Sequence, residues 1–227
     1  EELGTGLLDE IWRIDTPLLG KNSIPLDDIV TDICVRRGLS TSQIDVTDLE
    51  NISVNGFVSD NMKGDEELNH LRRVFRFDYW EEDGTLVFKR RNRSSDVTIP
   101  ESDLAATDKT GEYQNKLIID ESPELQLPMQ VRLQYLDANR DYQSGSQIAK
   151  RIISDSFDDR VTNANKVLDI QVPVVLTASQ ALQAATEILW DMWNTRRSVE
   201  FYLSTKYLQY DPGTISTINN DDEQYIV

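Results

Sequence analysis

Few residues of this sequence are of a type that does chemistry, and their spacing narrows the options further. The chain holds one histidine, His70, and one cysteine, Cys34. A lone histidine excludes the paired-histidine zinc pattern HExxH, and a lone cysteine excludes both a cysteine-built zinc site and a disulfide within the chain. Serine hydrolysis would have His70 as its usual base, with no Gly-x-Ser-x-Gly elbow to go with it. His70 stands two residues from Leu68 in a helical pattern, so it is expected on the surface, as a poor ligand and a poor base. Asp45, Asp48 and Glu50 lie close together but lack the ligand spacing and central glycine of a calcium loop. They read as turn and capping carboxylates. Phosphate handling would need a glycine-rich loop with a lysine or a dinucleotide spacing, and neither occurs. A carboxylate pair for glycoside hydrolysis stays open in any acidic chain, because its separation cannot be read from sequence. The expectation is a protein with no catalytic, cofactor or metal site, and not an enzyme.

The remaining charged feature is basic. Lys89, Arg90, Arg91 and Arg93 close a strand-like run, with Arg72, Arg73 and Arg76 shortly upstream. They belong to a chain of 40 acidic and 23 basic residues, net charge −17. A field of that sign repels phosphate backbones, so sequence-specific nucleic-acid binding is not expected. A single-strand binder would also expose its aromatics, whereas Phe75, Phe77 and Tyr79 alternate as core residues do. Lys89, Arg90, Arg91 and Arg93 are therefore expected to contact an acidic neighbouring domain or subunit, with a merely solvated strand end as the plain alternative.

These residues need elements to position them. At 227 residues with 39% apolar content, the chain suits an α+β globular fold of one large or two small domains. No apolar run approaches a membrane-spanning length. A first helix is expected from Leu26, with Ser23 as N-cap, Pro25 in the first turn, and Asp27 and Asp28 at the positive end of its dipole. Leu26, Ile29, Val30, Ile33 and Cys34 form its stripe, and Gly38 is a left-handed stop. Asn55-Gly56 reads as a tight hairpin turn. A second helix over 65–74 leads to a hairpin over 75–91, turning at Asp83-Gly84, with Trp80 partly exposed.

Ile99 to Leu104 reads as a single turn, and a domain boundary is expected near 105–115. Beyond it, a strand over 129–136 is followed by a polar turn from Asp137 to Gly145. Ile148, Ile152, Ile153 and Phe157 suggest a short helix or irregular crossover, and Pro173 divides two strand pieces. Thr177 and Gln180 form a capping box for a long helix over 178–195, and Pro212-Gly213 makes a late turn. The domain reading is 1–22 as the end of an upstream element, 23–110 as a small α+β domain, and 111–227 as a strand-rich domain. The chain starts without methionine and stops inside a strand-like pattern, so a longer polypeptide is expected.

Several strings resemble a known family. IPLDDIVTDICVRRGL, IDVTDL, VNGFVSD and FRFDYWEEDGTLVFKRR resemble the central part of bacteriophage tail tip (baseplate hub) proteins. That family includes the host-contact tail proteins of gene transfer agents and siphophages. VRLQYLDANRDYQSGSQ, TASQALQAATEIL and RRSVEFYLSTKYLQYDPGTI extend the resemblance to about residues 22–218. Thr214 departs from it, where an aspartate would follow Pro-Gly. The resemblance implies a small helix and hairpin domain inserted in or followed by a strand-rich, barrel-like hub domain with one long packing helix. It also implies a homotrimer at the tail tip of the virion, closing the tube and linking it to a distal tail ring protein and fibres, with the tape-measure protein as a further neighbour. No enzyme residues carry over. The matching positions Pro25, Gly38, Gly56, Asp83, Gly84, Asp137, Tyr142, Pro212 and Gly213 would set the fold. Negative walls would suit a channel that must not hold its cargo. The alternatives are a fragment of a carbohydrate-active tail enzyme, and a monomeric adhesion module with an exposed aromatic patch near Trp80 or Trp193.

Overall fold

A computed structural model of the chain describes residues 11–12, 23–59, 62–91, 94–104, 117–151, 166–210, 213–219 and 224–226. The fold is α+β. Its largest sheet is mixed and five-stranded, in the order β1 (Ile11–Trp12), β5 (Phe57–Val58), β12 (Val167–Leu176), β10 (Gln130–Asp137), β11 (Ser144–Lys150). β10 and β12 run parallel, and the other neighbours pair antiparallel. β10 alternates as a half-buried strand must: Val131, Leu133 and Tyr135 are buried, as their spacing predicts. β12 continues past Pro173, where two pieces were expected. The register against β10 moves from Gln134↔Gln171 to Leu136↔Val175, so the extra residues bulge around the proline, which has no N–H for the ladder. Ile148 also departs from expectation: it lies in β11, paired with Arg132, and not in a helix or crossover. Ile152, Ile153 and Phe157 lie outside the described residues.

Helix α1 (Leu26–Arg36) buries Leu26, Ile29, Val30, Ile33 and Cys34, the stripe its sequence predicts. Its N-cap is Pro25, in place of the expected Ser23. Ile24 and Pro25 form a short strand, β2, against β4 (Ser53–Val54), and this extended backbone enters the helix two residues later than a cap at Ser23 would. Gly38 (φ 99°) ends the helix: its N–H donates to the Val35 carbonyl at 2.9 Å, and Leu39 N–H to the Cys34 carbonyl at 3.2 Å, the paired bonds of a Schellman stop. Burial pushes the Cys34 thiol up to about 11, so it is inert.

Asn55-Gly56 is not a hairpin turn. β4 and β5 belong to different sheets, and among the described residues the glycines with positive φ are Gly38, Gly84 and Gly213, not Gly56. The pair instead docks on the following half of the chain: Val175 N–H donates to the Gly56 carbonyl at 2.8 Å and Asn55 Nδ2 to Gln180 Oε1 at 2.8 Å.

Helix α2 (Gly64–Phe75) includes Phe75, which the alternation had placed in the hairpin. The strand begins only at Phe77, because Arg76 is left-handed (φ 55°, ψ 58°) and turns the chain there. The hairpin β6 (Phe77–Glu82) and β7 (Thr85–Arg90) turns on Asp83 (φ 49°) and Gly84 (φ 80°), a type I′ turn as Asp-Gly predicts. A third short strand, β3 (Ile44–Asp45), lies parallel to β7. Helix α3 (Ala178–Asn194) starts at the expected capping box: Thr177 Oγ1 accepts from Gln180 N–H, and Gln180 Oε1 accepts from Thr177 N–H. Ala181, Ala184, Ala185 and Leu189 bring it close over the sheet.

These elements share one core, from Leu26 through Phe57, Phe77 and Phe88 to Leu133, Val174 and Leu189. The boundary expected at 105–115 lies outside the described residues, but buried side chains on both sides of it join this core. A second, small cluster of Ile99, Leu104 and Ile218 sits under β8 (Val97–Pro100) and β14 (Ser216–Asn219), which pair in parallel. β15 (Gln224–Ile226) extends that sheet, and β9 (Leu117–Glu121) pairs with β13 (Arg197–Phe201) in a two-stranded ribbon. The stretch read as one turn at 99–104 is the end of β8 and a turn of 3-10 helix over Glu101–Asp103.

Candidate interaction surface

The left-handed turn at Arg76 and the hairpin register together assemble the basic cluster. Arg91 N–H donates to the Arg76 carbonyl at 3.0 Å, setting the two side chains side by side. Both guanidinium groups meet Asp191 of α3: Arg76 Nη2 lies 3.0 Å from Oδ1, and Arg91 Nη1 lies 2.8 Å from Oδ2. Arg76, 11% exposed, also donates to the Glu187 carbonyl at 3.0 Å. Arg91 forks onto Asp78 at 2.7 and 3.0 Å, and Arg72 adds a contact to Asp78 at 3.0 Å. The hydrogen bonds with Asp78, then the charges of Asp78 and Asp191, raise the Arg91 pKa further, so its charge is permanent. A planar guanidinium suits such bidentate sites better than a lysine ammonium.

Arg90 points the other way. Its backbone N–H donates to Asp48 Oδ2 at 2.8 Å, its Nε to the Asp48 carbonyl at 2.6 Å, and its Nη2 to the Glu50 carbonyl. Asp45 accepts from Thr47 N–H at 3.1 Å and Thr47 Oγ1 at 2.6 Å. Those bonds, with a smaller contribution from the Lys89 charge, lower its pKa. Lys89 is thus the described member of the proposed contact set whose ammonium is not clamped, Arg90 and Arg91 are tied within the chain, and Arg93 lies outside the described residues.

The fold-setting positions divide in the same manner. Asp137 is buried and caps its turn, with Asn139 N–H on Oδ1 at 2.9 Å and Tyr142 N–H on its carbonyl at 3.0 Å. Tyr142 is left-handed (φ 58°) and exposed, so its part is played by the backbone. Gly213 (φ 90°) lies so close to Trp80 that a Cβ would stand 2.4 Å from the ring. Pro212 lies outside the described residues.

Three features escaped the sequence reading. Glu67 is fully buried: Ser59 Oγ donates to its Oε1, and Arg37 Nη2 lies 3.3 Å from Oε2. An acid in the first turn of a helix reads as a dipole partner, which hid it. Trp190 is 67% exposed and Leu182 44%, both on α3. Trp190 falls off the stripe of Ala181, Ala184, Ala185, Ile188, Leu189 and Met192, and that offset was the available signal. Trp80 and Trp193 are half-buried instead, with Trp193 Nε1 donating to the Pro128 carbonyl at 2.9 Å. Thirdly, Leu203, Ser204, Thr205, Tyr207, Leu208 and Tyr210 line a cavity of about 260 Å³.

The fold is shared with known tail proteins. A chain of the virion of a native gene transfer agent particle superposes with a TM-score of 0.77 at 22% identity, covering 90% of this chain and 44% of that one. The tail protein from Neisseria meningitidis MC58 gives 0.54 at 12% identity, covering 93% of this chain and 61% of that one. The 43 kDa tail protein of prophage MuSo2 from Shewanella oneidensis gives 0.54 at 14%, covering 91% and 60%. At these identities the likeness is one of fold, and this chain spans about half the length of those proteins. No curated protein matches the sequence. A family model matches residues 63–227, most of the chain, and the chain belongs to that family, described as "Putative phage tail protein".

Proposed function

We propose that this chain is a structural component of a phage tail tip, the baseplate hub. In this reading three copies form a ring that closes the tail tube, and the strand-rich half contributes a barrel-like element of that ring. The ring joins the tube to a distal tail ring protein and to fibres, with the tape-measure protein as a further neighbour. It is assembled in the host cytoplasm and ends in the virion. The observation that carries the reading is the likeness over 90% of the chain to a subunit of a gene transfer agent virion. The reading is structural rather than catalytic. Glu67 and Asp137, the buried acids among the described residues, are occupied by Ser59 and Arg37 and by a turn.

The test is the mass in solution of the full-length protein, by light scattering, alone and with the distal ring protein. A trimer, alone or formed only with the ring, is expected. A monomer indifferent to the ring protein overturns the reading.

A further inference from the structure

The outer face of α3 differs from the rest of the surface. The chain carries 28% charged residues and a net charge of −17, yet the exposed positions Leu182, Gln183, Thr186, Trp190 and Asn194 include none. The two acids of α3, Glu187 and Asp191, are both turned to Arg76. The polar groups of the face are satisfied locally: Thr186 Oγ1 donates to the Leu182 carbonyl at 2.8 Å and Gln183 Nε2 to Glu187 Oε1 at 2.9 Å. Trp190 therefore stands as an apolar knob among uncharged exposed residues, with the partly buried Glu187 and Asp191 at their edge. Depletion of charge around a tryptophan is the composition of an interface centre, not of a solvated helix.

The same chain carries a matching recess. The cavity beside Tyr207, Leu208 and Tyr210 is about 260 Å³, with room for one large side chain. Its two tyrosine rings lie 6.2 Å apart and tilted by 31°, and Leu208 is 80% exposed at its rim. The nearby charge, Lys206, is paired with Asp103 and lies over the Tyr207 ring. Copies at −17 repel each other across most of their surface. Two neutral apolar patches, one convex and one concave, are where they can meet without placing like charges opposite.

We propose that Trp190 of one copy inserts into the Tyr207–Tyr210 recess of a second copy of this chain. The inference rests on the ring assembly proposed above and names its contact. A knob and a recess at different places on one chain make a head-to-tail contact, the kind that closes into a ring.

The test uses the full-length protein. Trp190→Ala is expected to weaken self-association by about tenfold or more, with the melting temperature of the separated chain unchanged because the side chain is exposed. Chains carrying Trp190→Cys are then mixed with chains carrying Leu208→Cys and treated with a short bismaleimide. Cys34, buried with its thiol raised to about 11, stays out of the reaction. A cross-link between the two kinds of chain is expected. If the parent assembles and Trp190→Ala assembles equally well, the contact is overturned and the ring stands. Cross-links among Trp190→Cys chains alone would mean that α3 faces pair symmetrically, which also overturns it. A parent that stays monomeric both alone and with the distal ring protein removes the ring reading and this contact with it.

Discussion

The two buried clusters of this molecule are held by different means. The large one joins α1, α2, the hairpin, the mixed sheet and α3 by apolar burial, with Arg76, Arg91 and Asp191 as a half-buried polar seam. The small one has three buried apolar residues, Ile99, Leu104 and Ile218. It relies on backbone ladders and on anchors such as Tyr207 Oη donating to Asp103 at 2.6 Å and Ile215 N–H to Asp96 at 2.9 Å. A region with few apolar contacts can open at lower free energy than the whole fold. The recess proposed as a contact for a second copy adjoins that weaker region, where binding has the most local order to add.

The sharpest test of this contrast pairs Phe57→Ala with Ile218→Ala. Both residues are fully buried. Phe57 sits where β5 joins β12, and its truncation should cost about 3–5 kcal/mol of global stability in urea unfolding. Ile218→Ala should cost the global transition about 1–2 kcal/mol, because the small cluster can open by itself. Amide exchange should then rise over 97–104 and 216–219 while α1 and α3 stay protected. Equal losses from both variants would mean one cooperative unit and break the comparison.

The seam gives the next effect. Asp191→Ala leaves Arg76, 11% exposed, and half-buried Arg91 short of a partner. Part of that loss is recovered through Asp78 and the Glu187 carbonyl, so about 2 kcal/mol is expected, less than for a wholly buried pair. A double-mutant cycle with Arg76→Ala should return a coupling of about 1–2 kcal/mol. A coupling near zero would reduce the seam to surface decoration. The same variants show why charge reversal at Arg90 and Arg91 is a poor probe of subunit contact: it would disturb the chain's own packing first.

What the sequence made legible was local. The α1 stripe, the Gly38 stop, the Asp83-Gly84 turn and the Thr177 capping box each depend on residues within about one turn of one another, and each appears as read. What stayed hidden depends on partners far along the chain. Arg91 finds Asp191 100 positions away, and Asn55 finds Gln180 125 positions away. No periodicity encodes such meetings. Asn55-Gly56 had the composition of a hairpin turn, but long-range pairing of β5 with β12 took the following strand to another sheet. Of the proposed contact residues, sequence showed that the basic cluster was unusual; only its packing showed that Arg90 and Arg91 already have partners.

Gly213 links the two regions, and its substitution should have a smaller effect. Ala at this position meets the Trp80 ring at 2.4 Å and must hold φ near 90°, so about 1 kcal/mol of destabilisation is expected. A shift in tryptophan emission should accompany it, because the ring has to move. Emission unchanged from the parent would show that the turn and the hairpin are not in contact.

The smallest effect is a pH dependence confined to the large cluster. His70 is half-buried, not the surface residue its spacing suggested, and its Nδ1 is buried with no hydrogen-bond partner among the described residues. Burial first, then the charge of Arg73, lowers its pKa below the ordinary 6.5, with Glu66 opposing. The unfolded chain therefore takes up this proton at a higher pH than the folded one. The stabilising contribution is fully present above about 6.5 and is lost as pH falls through the lowered folded value. With one histidine in the chain, a single imidazole signal reports the folded pKa directly. Arg73→Ala should move that signal back toward 6.5, and His70→Gln should remove this component of the acid-side slope while leaving the carboxylate components in place. A folded pKa above 6.5 would reverse the sign and place the imidazole in solvent beside Glu66, outside the α2 packing that the large cluster requires.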